Sequence, residues 1–227
     1  MFDSEAQMKK PVIRWMNSLG LGVRAEFVTP WGICDLVGLS FRSPSVRHRC
    51  RLGQDQAITS ITRAALLSEI PDIQTGESIS LRSLVKKYEF VMSPDIINEQ
   101  TEWLIAEKYV LRTSTGHFQK RNGWLPLHKR LIAVELKLNR IEDVMVQARS
   151  NLLFAEESYV ALPHEVCRRV LKSRDRWAQF FDCGIGLVSV SPSSCKVLIR
   201  SKPPTKADFL LQFCVVEKFW RSRSRRS

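Results

Sequence analysis

The sequence predicts an α/β fold in which a mixed sheet, flanked by helices, is interrupted by a mainly helical insertion. Three observations predict it. Short β-branched runs alternate with amphipathic runs of helix length, an abrupt polar and basic stretch follows residue 42, and strand-like runs resume near residue 128. A chain of 227 residues with 44% hydrophobic content has enough apolar material for one core, or for a core and a small second unit.

The first part of the core is expected at residues 1–42. A capping-box pattern begins at Ser4, and apolar residues follow it at helical spacing up to Leu19. Residues 23–28 and 33–41 are β-branched, apolar runs separated by a Thr-Pro-Trp-Gly turn sequence. We therefore expect one helix and then two antiparallel strands.

Residues 43–127 are expected to form the insertion. It opens on a basic, polar stretch that resembles a linker. Helical segments follow at residues 56–70, 80–88 and 93–108, and a short hairpin is expected at residues 109–120. Three helices and a hairpin are the elements of a winged helix, and a generic helical insertion is the alternative.

The second part of the core is expected at residues 128–220. Its pattern predicts a strand at 131–138, a helix at 141–156, a strand at 158–162, a helix at 165–181, strands at 184–191 and 196–201, and a helix at 205–220. Residues 221–227 contain four arginines and no apolar residue, so a disordered basic tail is expected there.

Composition narrows the function classes. No apolar run approaches the ~20 residues of a membrane span, and the first residues lack a secretory signal pattern, so a cytoplasmic protein is expected. The six cysteines and four histidines are isolated, which argues against zinc and leaves oxygen ligands for any metal. Residues 128–227 hold 19 Lys/Arg against 10 Asp/Glu, which favours a polyanionic partner, either a nucleic acid or an anionic membrane surface.

Charged residues inside apolar strands are the sharpest signal. Glu135 and Lys137 interrupt the apolar run 131–138, and their spacing of two places both side chains on one face of a strand. Asp35 is the only charge in a second apolar strand. Buried charges are costly without partners, so these positions indicate a site. Two carboxylates and bound water suit Mg²⁺.

This arrangement resembles the PD-(D/E)XK nuclease superfamily, with the resemblance covering residues 1–42 and 128–200. Asp35, the Glu135-x-Lys137 triplet, Glu5 on the first helix and Gln147 on the helix after the triplet carry it. One departure is Cys34 in place of the proline that names the family.

The resemblance implies a restriction-endonuclease-like core that hydrolyses DNA with Mg²⁺, for which Mn²⁺ would substitute. Asp35 and Glu135 would bind the metal, Lys137 would orient or activate the attacking water, Glu5 would support the metal shell and Gln147 would brace the site. The alternatives are a non-catalytic DNA-binding regulator on the same scaffold, and a junction-resolving or RNA-processing nuclease, RNA being the less favoured partner. Many members act as dimers, so a homodimer is a further expectation, although no sequence feature specifies its interface.

Two basic segments are candidates for phosphate contacts. One lies on a predicted helix and the other is the tail, and a solvated surface is the alternative for both. The insertion is expected to contact DNA through its third helix, residues 93–108, or through the wing at residues 117–121. The candidate phosphate-binding residues are Arg168, Arg169, Lys172, Arg221, Arg223, Arg225 and Arg226.

Overall fold

A six-stranded sheet forms the centre of the first of two compact units. The computed structural model describes residues 2–139, 141–205 and 207–224. The first unit comprises Met1–Ser40 and His128–Gln212, and the second comprises Phe41–Leu127 and Phe213–Ser227. The strands of the first sheet are β1 (Gly22–Thr29), β2 (Gly32–Phe41), β5 (His128–Leu136), β6 (Glu157–Pro163), β7 (Gly186–Val190) and β8 (Cys195–Ile199), while β3 and β4 belong to the second unit.

The sheet is mixed, as the sequence predicts. Its strands are ordered β1-β2-β5-β6-β7-β8. The pairs β5–β6 and β6–β7 are parallel, whereas β1–β2 and β7–β8 are antiparallel. The α/β class with helices flanking a mixed sheet is thereby confirmed.

Helices cover both faces of this sheet because its central strands are apolar on both sides. The flanking helices are α1 (Glu5–Ser18), α6 (Ile141–Asn151), α7 (His164–Lys172) and α8 (Arg174–Asp182). In β6, Tyr159 and Ala161 pack in the same cluster as residues of α1, whereas Val160 and Leu162 pack with residues of α6, α7 and α8. Successive strand residues point to opposite faces, so this alternation fixes which face each helix covers.

The second unit contains the predicted three helices and hairpin. Its elements are α2 (Ser43–Arg51), α3 (Ile61–Glu69), α4 (Leu81–Tyr88), α5 (Pro94–Ala106), β3 (Val110–Arg112), β4 (Phe118–Lys120) and most of α9 (Phe209–Ser224). The side chains of Ser60, Ser80 and Ser93 accept hydrogen bonds from main-chain N–H groups in the first turns of α3, α4 and α5. Assignment of this unit to the winged-helix class stays a prediction. None of the described helices has the length and apolar character needed to cross a membrane.

Three expectations from the sequence are wrong in this part of the fold. The basic stretch after Phe41 is a helix, α2, because Val46 and Arg49 turn inward and are buried. The single helix expected at 165–181 is two helices, since Ser173 has an extended backbone and caps α8.

The third wrong expectation concerns the C-terminus. Helix α9 continues to Ser224, so residues 221–224 are not a disordered tail, and residues 213–224 belong to the second unit instead of the core. Arg225 and Arg226 lie outside the described residues. Phe219 and Trp220 are buried, which anchors the helix one turn before its arginine-rich end, and arginines are favourable at the C-terminus of a helix dipole.

A fully buried ion pair holds α2 and α9 together inside the second unit. Both side chains of Arg49 and Glu217 have 0% exposure. The guanidinium of Arg49 also donates to the carbonyl oxygens of Gln54 and Gln56, at 2.9 Å each, and to the hydroxyl of Tyr109. Glu217 accepts the Ile58 N–H at 2.7 Å. Burial raises the pKa of Glu217 and the guanidinium opposes this, so each charge depends on the other.

We expect Arg49→Met to destabilise the protein by roughly 3–5 kcal/mol, because it leaves the Glu217 carboxylate buried without its cation. Chemical denaturation followed by circular dichroism would measure the loss. Arg47→Met is the matched control, since Arg47 lies exposed on the same helix and should change stability by less than about 0.5 kcal/mol. Equal effects of the two substitutions would show that the ion pair does not stabilise the second unit.

Candidate active site

Neighbouring strands bring two carboxylates together in the first unit. Asp35 lies on β2 and Glu135 on β5. The main-chain N–H of Leu136 donates to Oδ2 of Asp35 at 2.8 Å, and the main-chain N–H of Asp35 donates to the carboxylate of Glu135. Each acidic side chain is therefore anchored to the strand that carries the other.

Glu135 is the buried member of this pair. Its side chain is buried, with only 2% of the residue exposed. Burial raises the pKa of Glu135 to about 7, and the negative charge of Asp35 acts in the same direction. A hydrogen bond of 2.6 Å from Nδ2 of Asn151 to Oε1 opposes the shift without cancelling it. The carboxyl group therefore titrates near neutral pH.

Asn151 is a site residue that sequence reasoning missed. It ends α6 and is buried, and its amide also lies 3.5 Å from the sulfur of Cys34. Gln147, the residue predicted on this helix, is exposed and lines a cavity of about 20 Å³ together with Glu135 and Asn151. Residues four apart share one helix face, so the spacing from Gln147 was the available signal. Burial raises the pKa of the Cys34 thiol, which keeps it neutral beside the carboxylate.

Lys137 lies at the end of β5 and is paired with the predicted Glu5. Its ammonium nitrogen is 3.4 Å from Oε2 of Glu5, and both side chains are partly exposed. The main-chain N–H of Lys137 donates to the carbonyl of Ala161 at 3.2 Å, which continues the sheet by one residue. Glu5 contacts Lys137, so an effect of Glu5 on the site would act through Lys137.

A second ion pair, also missed from the sequence, lies close to Asp35. The β1–β2 register pairs Ala25 with Leu36 and Phe27 with Cys34, which places Glu26 opposite Asp35. Glu26 has a φ of 51°, a left-handed conformation that non-glycine residues rarely adopt.

The partner of Glu26 in this pair is Lys9 of α1. Nζ of Lys9 lies 2.8 Å from Oε1 of Glu26. The hydrogen bond that Lys9 donates to Glu26 raises the pKa of Lys9, and the charge of Asp35 adds to the effect. Lys9 and Glu5 are one turn apart on α1. This helix therefore supplies one ion-pair partner to Glu26 and one to Lys137.

The donor chemistry of the carboxylate pair fits a hard divalent cation. Within residues 2–139, 141–205 and 207–224 there is no group of three or more His, Cys, Asp or Glu side chains arranged to hold a metal. Mg²⁺ commonly needs only one or two carboxylates, because water and substrate phosphate oxygens complete its octahedral shell. Asp35 and Glu135 are the residues that could hold it.

The predicted phosphate-binding residues fall into two places. Arg168, Arg169 and Lys172 are exposed on α7 of the first unit, where Arg168 lies 3.5 Å from Glu165. Arg221 and Arg223 lie in the last turns of α9, which belong to the second unit.

Helix α5, which the sequence predicts as the third helix of the insertion, carries exposed acidic residues. Asp95, Glu99 and Glu102 are exposed at one helical face, and α5 contains no lysine or arginine, although Arg112 of β3 pairs with Glu102. Lys120 and Arg121 lie at the end of the β3–β4 hairpin, so the hairpin carries positive side chains where α5 carries negative ones.

The raised pKa of Glu135 predicts that stability falls between about pH 4.5 and pH 7 in the absence of metal. Folding favours the protonated carboxyl, so this contribution is complete below the usual value of 4.5 and is lost as the pH rises through about 7. The side chain of Glu135→Gln cannot ionise. We therefore expect the free energy of unfolding of this variant to exceed that of the wild type by ~1–3 kcal/mol at pH 8, and not to exceed it at pH 4.5.

Denaturant unfolding in EDTA across this pH range would measure the difference. Glu142→Gln, at an exposed position of α6, is the matched control and should show no such pH dependence. A wild type and Glu135→Gln variant with parallel pH profiles would show that Glu135 does not titrate in this range.

No family model and no curated protein sequence matches the chain. Among solved structures, the chain is similar to the SPO1766 protein of unknown function from Silicibacter pomeroyi. The identity is 11% and the TM-score 0.46, over 99% of this chain and 89% of that chain.

Proposed function

We propose that the protein is a metal-dependent nuclease that hydrolyses phosphodiester bonds in DNA. The observation that carries the proposal is the pairing of Asp35 with Glu135 across β2 and β5, with Lys137 two residues beyond Glu135. A pair of carboxylates without a cation destabilises the folded sheet. A bound cation would offset this loss of stability.

The roles of the residues follow from their positions. Asp35 and Glu135 would hold Mg²⁺ or Mn²⁺, which when bound neutralises charge on the scissile phosphate and lowers the pKa of a bound water. Lys137 would hold the attacking water or a phosphate oxygen with its ammonium group. Glu5, at 3.4 Å from that ammonium, would keep Lys137 oriented. Asn151 would fix the carboxylate of Glu135 through its 2.6 Å hydrogen bond.

The charge of the chain supports DNA as the substrate. The formal net charge is +12, and an exposed basic face on α7 follows directly after β6. Neutralising phosphates in this way supplies affinity that does not depend on base sequence. In the second unit, the basic residues of the wing would make the corresponding contacts, because the face of α5 is acidic.

Glu135→Gln and Asp35→Asn should each abolish cleavage of plasmid DNA in Mg²⁺ while changing DNA affinity less than about threefold, because each removes a metal ligand and no phosphate contact. Lys137→Met should lower the single-turnover rate at least roughly a hundredfold. Agarose-gel assays in Mg²⁺, Mn²⁺ and EDTA, with supercoiled, linear and branched DNA, would measure these effects.

Glu142→Gln is the control for these substitutions, since it changes the same charge at an exposed position outside the site. Cleavage at wild-type rate by Asp35→Asn or Glu135→Gln would exclude the proposed site. Metal-independent binding without any cleavage, under all these conditions, would favour the DNA-binding regulator instead.

A further prediction separates α5 from the wing in DNA binding. Replacing Asp95 and Glu99 by Asn and Gln should leave affinity unchanged or raise it, whereas Arg121→Ala should lower the slope of log affinity against log salt by about 1. Fluorescence anisotropy at several salt concentrations, in EDTA, would measure both slopes. Loss of sequence preference in the α5 variant alone would restore α5 as the reading helix.

A further inference from the structure

A cavity of about 460 Å³ lies at the carboxyl ends of the parallel strands in the first unit. Asn139 follows β5, Pro163 ends β6 and Val190 ends β7, and all three line the cavity. Ligands of open α/β sheets commonly bind at this edge. The volume falls within the range of roughly 300–1,000 Å³ that is usual for small-ligand sites. The cavity has the position and size to hold one nucleotide.

One side of the cavity is apolar. Phe2, Leu138, Val166, Val190 and Pro192 supply this surface, which includes one aromatic ring. A planar ring that leaves water for such a surface gains free energy from burial and, against Phe2, from stacking. Every nucleobase has a planar face, so this side accepts bases without selecting among them.

The other side is polar and carries a cation. Arg169 lines the cavity and has no acidic partner among the described residues. Glu165 also lines it, but its carboxylate lies 3.5 Å from Arg168, which offsets its charge. Nδ1 of His164 is 3.1 Å from the hydroxyl of Ser189, which leaves Nε2 available to a ligand. An anionic group beside the apolar surface would be attracted to Arg169.

A chain neighbour of Lys137 lines the cavity. Leu138, which lines it, directly follows Lys137 in the chain. The N–H of Lys137 donates to Ala161, two residues before Pro163 at the cavity. A DNA strand with its scissile phosphate at Lys137 would therefore have an adjacent nucleotide next to the cavity.

We propose that this cavity receives one unpaired nucleotide next to the scissile phosphate, with its base against Phe2 and Leu138 and its phosphate at Arg169. The inference rests on the proposed nuclease function and names its substrate class: DNA with an unpaired strand at the cleavage position. A paired base would have to leave its partner and its stack to enter the cavity, which costs free energy. An unpaired base in an overhang or flap does not incur this cost.

Equilibrium binding in EDTA tests the cavity without requiring catalysis. The probes are a fluorescein-labelled 20-base-pair duplex, the same duplex with a five-nucleotide 5′ or 3′ overhang, and overhangs whose first unpaired nucleotide is abasic. We expect one overhang to bind about tenfold more tightly than the blunt duplex, and the abasic change to remove most of that gain. With Phe2→Ala, the abasic change should have no further effect, because the base has lost its contact.

Lys172→Ala is the matched control for Arg169→Ala, since it removes one positive charge from the same helix at an exposed position that does not line the cavity. Arg169→Ala should weaken binding of the overhang more than binding of the blunt duplex, whereas Lys172→Ala should affect both equally. An abasic nucleotide that leaves wild-type affinity unchanged would overturn the inference, whether or not Phe2→Ala folds. Equal effects of Lys172→Ala and Arg169→Ala would also overturn it.

The two proposals fail separately in these experiments. A protein that cleaves DNA in Mg²⁺ but shows no abasic effect in EDTA would contradict only the nucleotide cavity. A protein with the abasic effect but no cleavage would contradict only the nuclease.

Discussion

The burial of the Glu135 carboxyl group in the middle of an apolar sheet is the constraint on which the candidate site depends. A buried carboxyl needs hydrogen-bond partners, and it has the amide of Asn151 together with two groups of β2, the thiol of Cys34 and the main-chain N–H of Asp35. The amide fixes the end of α6 against β5, and the two groups of β2 fix the pairing of β2 with β5. A register slip of one residue would turn Glu135 toward the apolar cluster under α1, where no such partners lie. The register of the sheet and the geometry of the site therefore depend on the same contacts of Glu135.

The residues of the site that could be predicted are those with a local signal. Asp35, Glu135 and Lys137 are charges inside apolar strands, and their neighbours in the sequence suffice to single them out. Asn151 is an ordinary polar residue at a helix end, and only its contact with Glu135, 16 residues away, gives it a role. Lys9 and Glu26 likewise become a pair only when α1 packs beside β1.

The fold, like the site, could be predicted where the sequence carries a local signal. Strand and helix periodicity gave the elements of the mixed sheet, and cap residues gave the helices of the second unit. The unit boundary failed at the C-terminus because Arg49 and Glu217, 168 residues apart, are buried together. In the sequence, Arg49 stands in a basic run that looks solvated. Deleting the predicted insertion, residues 43–127, would remove Arg49 and Ile58 and leave Glu217 without its ion-pair and hydrogen-bond partners, so the second unit cannot be removed at boundaries read from the sequence alone.

The charge balance of the site links the protonation of Glu135 to binding of the proposed cation. Four carboxylates, those of Glu5, Glu26, Asp35 and Glu135, stand against the two ammonium groups of Lys9 and Lys137. Glu5 and Glu26 each pair with a lysine, which leaves the charges of Asp35 and Glu135 without a matching cation. At neutral pH a proton on Glu135 offsets part of this excess, since the pKa of Glu135 is about 7 and the group holds a proton part of the time. A divalent cation bound by both carboxylates would remove the excess entirely and favour the ionised form of Glu135, so proton release must accompany its binding.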